Sequence, residues 1–337
     1  MKLRIITIAI LSLAFTFANA QTISAKEKLE IIVNTKQALG KQYHFKQQVP
    51  AICTYIDGQW KEGAYSEISD RNEFTTALAA DMKKAAKDNH LNYFYTAAEI
   101  AGDKKLEQQM PWHLVNDKFL NNGVTAMQIL SGDVGYLKVQ AMGYMDELLP
   151  AAFTYLQHTQ ALIIDIRGNG GGMLSNILAS YLLPEDSIHL NTINWNDRTD
   201  SIFTKKTLAG PRYLNKPVYL LTDKGTFSSA EEFAYDLKAM QRVTIVGEAT
   251  GGGANPGGLM NVYTFKDGTR LDMYVSMAQV VNPVTQSNWE GSGVQPDVKV
   301  KSEDALKKAH DMALEFLQIR EHNAVIKKAY QDIRKRI

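Results

Sequence analysis

The residues best suited to chemistry are two adjacent serines in the segment TFSSAEEFA, residues 226–234. The apolar run 218–221 predicts a buried strand before it, and the turn residues 223–225 lead into a predicted helix. Ser228 and Glu231 fit the S-x-x-E capping pattern of a helix N-terminus. A hydroxyl there lies beside unpaired backbone N–H groups, so the segment could supply a nucleophile and oxyanion donors. An ordinary serine cap is the alternative.

A second motif, DIRGNGGG at residues 165–172, follows an apolar run. Glycines after a strand let backbone N–H groups face a cleft without side chains in the way. The motif lacks the Lys-Ser/Thr ending and the G-x-G-x-x-G spacing of nucleotide-binding loops. We expect Asp165 and Arg167 to be a structural pair that holds this loop. Because the glycine loop and the serine helix both begin at carboxyl ends of predicted strands, they should share one rim of the sheet.

The hydrophobic pattern predicts an α/β fold of mixed α+β character. Residues 21–100 are predicted to be an N-terminal helical cap region, 101–132 a linker or lid, and 133–302 an α/β domain. Residues 303–337 form a charged amphipathic C-terminal helix or helix pair. Predicted strands alternate with predicted helices in the α/β domain, and these strands are nearly all apolar, which is typical of a covered, mostly parallel sheet. The strands are expected at residues 135–139, 161–166, 218–222 and 243–246.

The first twenty residues resemble a signal peptide. Lys2 and Arg4 precede an apolar run, residues 5–17, and Ala18-Asn19-Ala20 matches the A-x-A cleavage pattern. We therefore expect residues 1–20 to be removed after Ala20 and the protein to be periplasmic or secreted. A membrane anchor is the alternative, but the run is short for a bilayer. No later apolar run approaches that length, so no membrane span is expected after cleavage.

Composition excludes several classes of function. The chain is 45% hydrophobic and 22% charged with a net charge of +1, which gives no case for nucleic acid or an anionic membrane as partner. Its single cysteine, Cys53, cannot form an internal disulfide or a cysteine-type zinc site. The histidines at positions 44, 113, 158, 189, 310 and 322 show no metal-ligand spacing either. We expect no metal and no organic cofactor.

Three segments in this order, DIRGNGGG, LLTDKGTFSSAEEFA and IVGEATGGG, resemble the tail-specific (C-terminal processing) serine proteases. The more similar branch is that of the tricorn protease core and interphotoreceptor retinoid-binding protein. The resemblance covers residues 25–300 and implies a ClpP/crotonase-like layer with residues 133–302 as the catalytic domain. The segment between Tyr95 and Gly135 is too short for the PDZ domain common in the family. The implied activity is hydrolysis of peptide bonds in peptides or unfolded proteins.

The resemblance also implies which serine reacts. The family places its nucleophile three residues before a glutamate, and here Ser228 stands in that register with Glu231. Ser229 follows, at the place whose backbone N–H contributes to the oxyanion hole in the family. Its partner amide in the glycine loop corresponds to Gly171, with Gly170 as the neighbouring candidate. Ser229 remains the alternative nucleophile.

The expected base is a histidine. Tail-specific proteases usually pair serine with a lysine, but Gly253 occupies that position here. The tricorn-like branch instead uses a histidine that follows a hydroxyl residue, together with a late glutamate. The resemblance implies His90 as base, Asn89 in place of the hydroxyl residue and Glu290 as an orienting residue. Imidazole titrates near neutrality and can move the serine proton. The alternatives are a structural histidine and a solvated glutamate, with His113 as fallback base.

Two function classes remain open at this point. The first is a serine endopeptidase that needs no cofactor. The second is a non-catalytic apolar-ligand-binding or scaffold protein on the same fold, since fold does not determine function. The serine, glycine loop, histidine and glutamate occur together, which favours the enzyme. If it is correct, the side chains of Ser228 and His90 should lie within hydrogen-bond reach. The oligomeric state stays open.

Overall fold

The computed structural model describes residues 22–96, 120–185 and 187–337. The predicted signal peptide with Ala20 lies outside these residues, as do His113 and most of the predicted linker or lid. In the parts of the chain that are described, no helix is both long enough and apolar enough to cross a bilayer.

Helices and strands alternate along the described chain. Eight α-helices occur in these residues: α1 Ala25–Gln42, α2 Val49–Lys61, α3 Arg71–Ala86, α4 Leu149–Leu156, α5 Ser175–Ser180, α6 Ser229–Ala239, α7 Ala305–Arg320 and α8 Ala324–Arg334. Twelve strands occur in the same residues: β1 Asn92–Thr96, β2 Val124–Leu130, β3 Val134–Val139, β4 Ala161–Asp165, β5 His189–Trp195, β6 Thr199–Phe203, β7 Val218–Thr222, β8 Thr244–Gly247, β9 Gly257–Thr264, β10 Arg270–Ser276, β11 Ala278–Val281 and β12 Val298–Lys299.

The central sheet has six strands in the order β12-β8-β7-β4-β3-β2. Neighbouring strands are parallel from β12 to β3, and only the edge strand β2 pairs antiparallel, with β3. Every residue of β4 and β7 is buried, as expected for parallel strands covered on both faces. The predicted α/β fold with a largely parallel sheet and N-terminal helices is confirmed.

The central sheet includes part of the segment that we expected to be a linker or lid, residues 101–132. Residues 124–130 form β2, whose register pairs Leu130 with Val134 and Met127 with Leu137. The expectation is wrong for these residues, because they pair with β3 as part of the sheet, with one register shift between Val124 and Ala126. Residues 97–119 of that stretch are not described.

The N-terminal helices share a core with a later part of the chain. Strand β1 pairs antiparallel with β10, and β10 pairs with β9, which gives a second sheet in the order β1-β10-β9. Ile31 and Phe74 from the helices pack in one buried cluster with Leu271 and Met273 of β10. The N-terminal region is therefore completed by residues 257–276, which the sequence analysis assigned to the α/β domain.

The third sheet, in the order β11-β5-β6, and the last two helices complete the structure. Helix α7 covers the central sheet, since its buried residues Ala309 and Ala313 pack with Ile163 and Tyr219. The predicted C-terminal helix or helix pair is two helices, α7 and α8, separated at residues 321–323.

Candidate active site

Ser228 lies at a sharp turn between β7 and α6. It is the N-cap of α6, and its backbone has φ 55° and ψ −126°. A non-glycine residue with positive φ costs energy and persists only where its surroundings hold it there. Glu231 helps to stabilise this conformation, because its Oε2 accepts the Ser228 N–H at 3.0 Å. The turn therefore presents the partly exposed Ser228 hydroxyl at the carboxyl end of the sheet.

The Glu231 carboxylate also fixes the neighbouring loop. It is fully buried and accepts the N–H of Gly252 at 2.7 Å and that of Gly253 at 2.8 Å, together with the hydroxyl of Thr250. Burial raises the pKa of Glu231, while these hydrogen bonds oppose the rise by favouring the charged form. One carboxylate thus ties the serine turn to residues 250–253.

The glycine loop lies against the serine turn, as expected. The Phe227 N–H donates to the Asn169 carbonyl at 2.9 Å. Gly171 has φ +101°, and a Cβ on it would lie 2.9 Å from Ser228 Cβ and 3.0 Å from the Ser229 nitrogen. Only glycine permits this approach. Both sets of predicted oxyanion donors therefore come from one rim of the sheet.

One predicted donor is occupied in this structure. The Gly171 N–H donates to the side-chain Oδ1 of Asn169 at 2.8 Å, so it does not face the serine as a free donor. The adjacent Gly170 is exposed and has open space around its Cα. The Ser229 N–H is at the first position of α6, where the helix itself offers no acceptor.

Two acidic residues hold the base of the glycine loop. Asp223 Oδ1 accepts the N–H of Gly168 at 2.9 Å and that of Gly225 at 2.9 Å, and so joins the loop to the serine turn. Asp165 forms an ion pair with Arg167, with Nη2 and Oδ2 2.6 Å apart. The pair lies at the end of β4 and has the structural role expected of it.

The imidazole of His90 reaches Ser228 from the N-terminal region. Its Nε2 lies 3.2 Å from Ser228 Oγ, although 138 residues separate the two in sequence. The ring stacks on Tyr274 of β10, with centroids 5.4 Å apart, and packs against Phe227 at 4.7 Å. His90 follows α3 and precedes β1, so the pairing of β1 with β10 places it. The structure thus brings together the two residues that were predicted to react.

His90 is held in its neutral form. Burial lowers the pKa of its imidazole to about 4, and the charge of Lys83 lowers it further in the same direction. The side chain is only 8% exposed. A neutral imidazole whose Nε2 carries no proton can accept a hydrogen bond from the serine hydroxyl.

Asn89 and Glu290 form hydrogen bonds to backbone groups around His90 rather than to its imidazole ring. Asn89 Nδ2 donates to the carbonyls of Gly251 and Gly252 at 3.0 and 3.2 Å. Glu290 accepts three backbone N–H groups, from Asn89 at 3.1 Å, Ala254 at 2.7 Å and residue 255 at 3.1 Å. Burial, and secondly the charge of Asp88, raise the pKa of Glu290 to about 7. Glu290 therefore joins the histidine segment to the loop that follows Gly253.

Two further residues at the site were not predicted. Asp88 is 1% exposed and its Oδ1 accepts the His90 N–H at 3.0 Å, which fixes the backbone of the histidine. The D-x-H spacing fits an Asx-type turn and was an available signal. Tyr274 lies far from the motifs in sequence, and only the β1–β10 register brings it to His90. Residues 189–281 contain seven strands, of which the sequence analysis predicted only β7 and β8.

Comparisons with known proteins point to proteases. The chain is 30% identical over 147 residues to the carboxyl-terminal-processing protease of Synechocystis sp., an alignment that covers 43% of this chain and 32% of that protein. It is 25% identical over 174 residues to the tricorn protease of Thermoplasma volcanium, covering 51% of this chain and 15% of that protein. The chain therefore spans a third or less of the length of these two relatives.

Solved structures show the same fold. A protein from Parabacteroides merdae matches 83% of this chain and 92% of its own, with a TM-score of 0.53 and 19% identity. A lipoprotein from Streptococcus agalactiae matches 86% of this chain and 96% of its own, with a TM-score of 0.51 and 16% identity. At these identities the similarity establishes architecture and no more.

Family profiles cover most of the chain. Residues 133–300 match peptidase family S41, and residues 16–132 match the N-terminal domain of peptidase S41 in eukaryotic IRBP. The two matches adjoin at the start of β3, and both the serine turn and the glycine loop fall in the first of them. The predicted resemblance is confirmed, and the chain belongs to peptidase family S41.

Proposed function

We propose that this protein is an exported serine peptidase that hydrolyses peptide bonds in peptides or unfolded proteins. The observation that carries the proposal is the 3.2 Å contact between His90 Nε2 and Ser228 Oγ, at a serine held in a strained turn. A nucleophile within hydrogen-bond reach of a neutral base is the arrangement that acyl transfer requires. Export rests on the signal-like residues 1–20.

The reaction begins with attack by Ser228 Oγ on the carbonyl carbon of the peptide bond, while His90 Nε2 takes the serine proton. The same imidazole then protonates the leaving amine, which leaves an acyl group on Ser228. Water repeats the sequence and releases the acid. The imidazolium that forms transiently is stabilised by Asp88 and Glu290, whose oxygens lie within 4.8 Å of a ring nitrogen.

The oxyanion hole in this proposal consists of the Ser229 N–H and the glycine loop. Gly171 lies beside the Ser229 nitrogen, but its own N–H is bonded to Asn169. An oxyanion accepts a stronger hydrogen bond than a neutral amide oxygen, so substrate attack can draw the Gly171 N–H away from Asn169. Gly170 is the adjacent exposed donor.

The alternative of an apolar-ligand carrier has weaker support. A cavity of about 500 Å³ lies near the site, and its lining includes Asp88, Asn255 and Glu290. Burying an apolar cargo against carboxylates and amides removes their water without replacing its hydrogen bonds. The rest of the wall includes Phe45 and Ala85, so the lining is mixed and does not by itself select an apolar ligand.

The test is covalent labelling of the full mature protein with a fluorophosphonate, followed by mapping of the modified peptide. We expect the adduct on Ser228 and its loss in His90→Gln, with hydrolysis of unfolded casein lost in parallel. Labelling on Ser229 would overturn the assignment of the nucleophile. Labelling that survives in His90→Gln would overturn the assignment of the base. No labelling at all, with saturable binding of an apolar fluorophore, would replace the peptidase by the carrier.

A further inference from the structure

Behind the imidazole of His90, on the side away from Ser228, lies a compact group of metal-binding side chains. Asp88, His90 and Glu290 each offer one ligand atom, and these three atoms lie within 4.8 Å of one another. His90 Nε2 is already in contact with Ser228, which leaves Nδ1 as the ring nitrogen available to this group. The three residues come from the segment after α3 and from the loop before β12, and Glu290 bonds the backbone of Asn89 between the other two.

Several buried polar atoms here lack a hydrogen-bond partner. They include His90 Nδ1, Asp88 Oδ2 and Asn255 Oδ1, and all three residues are more than nine-tenths buried. The hydroxyl groups of Tyr43 and Ser276 face Asp88 closely enough to lower the pKa of its carboxyl against the effect of burial, and they are the nearest partners available to it. Leaving such groups unpaired in a protein interior is costly. Asp88 and Asn255 line one cavity and His90 belongs to the same group as Asp88, so a single ligand could contact these side chains.

The carboxylates of this group accept hydrogen bonds from backbone N–H groups but form no ion pair among the described residues. Two carboxylates, Asp88 and Glu290, lie together, and burial raises the pKa of both. Lys83 is the cation that acts on Asp88 and His90, and it cannot serve as a ligand while protonated. The aromatic faces of Tyr274 and Phe227 cover the rest of the imidazole. A divalent cation would compensate both carboxylates and satisfy Nδ1 at once.

The group is reachable from outside. Asp88 and Glu290 line the cavity of about 500 Å³ together with Tyr43 and Asn255, and its wall extends to the exposed Gln47. The cavity gives an entry path that does not pass the serine. An ion could therefore reach the back of the histidine while a peptide occupies the front.

We infer that Asp88, His90 and Glu290 form a binding site for Zn²⁺ that switches the peptidase off. One imidazole nitrogen with two carboxylate oxygens suits Zn²⁺ better than Mg²⁺, which prefers an all-oxygen octahedron. In the neutral ring that accepts the serine proton, Nδ1 carries the hydrogen. Zn²⁺ needs the Nδ1 lone pair and so binds the tautomer whose hydrogen is on Nε2, which can then no longer take the serine proton. The inhibition rests on the proposed function, whereas the binding does not.

Binding is tested first without any dependence on activity. Isothermal titration calorimetry of ZnCl₂ into the mature Ser228→Ala protein near neutral pH should show one tight site per chain. Asp88→Asn and Glu290→Gln in that background should each weaken it at least about tenfold, the loss that even outer-shell changes produce. The matched control His322→Ala removes an exposed histidine elsewhere and should leave the site unchanged. Circular dichroism establishes that each variant is folded.

The outcomes separate the two proposals. No tight site, or a site whose affinity is unchanged in both ligand variants, overturns the zinc inference whatever the enzyme does. If the site is present, Zn²⁺ should suppress fluorophosphonate labelling of the wild-type protein, EDTA should restore it, and MgCl₂ at equal concentration should have no effect. A tight site with undiminished labelling would show that the ion does not control Ser228. Zinc binding without any labelling would support the zinc site and contradict the proposed peptidase activity.

Discussion

The imidazole of His90 lies in the space that a side chain on Gly253 would need. A Cβ on Gly253 would lie 2.9 Å from Cε1 of His90 and 2.2 Å from Cζ of Phe227. In the serine–lysine proteases that this chain resembles, a lysine stands at this position. The glycine is therefore more than the loss of a base, because its missing side chain leaves room for the imidazole that replaces it.

Gly253→Ala should consequently disable the site. The added methyl group displaces Phe227 and the His90 ring, and a shift of about 1 Å at a reacting group can cost on the order of 100-fold in rate. The measurement is the rate of fluorophosphonate labelling at Ser228. Gly258→Ala is the matched control, since its Cβ would meet only the end of the Met277 side chain at 3.5 Å. Equal labelling rates in the two variants would contradict the spatial argument.

Ser228→Gly should remove activity and raise stability together. Glycine adopts the φ of 55° at this position without strain, so the free energy of unfolding should rise by about 1 kcal/mol. Ser228→Ala removes the hydroxyl but keeps the strained backbone and should gain none of this. Denaturant titration of the two variants gives the difference. A Ser228→Gly protein no more stable than Ser228→Ala would show that the turn stores no strain.

His90 should make the folded state sensitive to acid. Burial lowers its pKa from the usual 6.5 to about 4 in the folded protein, so the folded state resists protonation. The stability from this group is complete above pH 6.5 and is lost as pH falls towards 4, by about 3 kcal/mol in all. Unfolding measured against pH with EDTA present should show this slope in the wild type and a flatter one in His90→Gln. Parallel curves would contradict the buried, neutral histidine.

Glu290 should produce the opposite slope. Its pKa is raised from 4.5 to about 7, so the folded state binds the proton more tightly than the unfolded chain. The stabilising contribution is complete below pH 4.5 and is lost as pH rises through 7. Glu290→Gln, measured by the same titrations in EDTA, should lose this decline. Glu303→Gln, at an exposed residue in the same part of the chain, is the control and should keep it.

The sequence was sufficient for the parts of the site that local pattern encodes. Val218 to Ser228 is a strand, a turn and a helix start, and each has its own residue preferences. Glu231 was recognised as a capping residue, but its hydrogen bonds to Gly252 and Gly253 depend on tertiary packing. His90 was found through the family resemblance, and no local rule places a histidine opposite a serine so far along the chain.

The other parts of the fold and of the site could not be predicted from local sequence pattern, for a physical reason. Strands β9 and β10 pack with the N-terminal helices rather than joining the central sheet. The partner strand of β10 is β1, more than a hundred residues earlier in the chain. Antiparallel strands with one exposed face have mixed polarity, as in the β9 pattern with Leu259 and Asn261 exposed, so they lack the continuous apolar signal of β4 and β7. The family resemblance implied a free Gly171 N–H. Its hydrogen bond to the side-chain Oδ1 of Asn169 depends on the three-dimensional structure and has no local sequence signal.

The pairing of β1 with β10 has a consequence for when this protein can act. Ser228 and its loops lie in one family-matched segment, whereas His90 is delivered by the other and is set in place by the register of Tyr93 against Met273. In a chain whose β1 and β10 have not paired, Ser228 has no base beside it. In the proposed mechanism, activity therefore requires this long-range pairing, and a chain that has lost it should fail to react at Ser228 even with its serine turn intact.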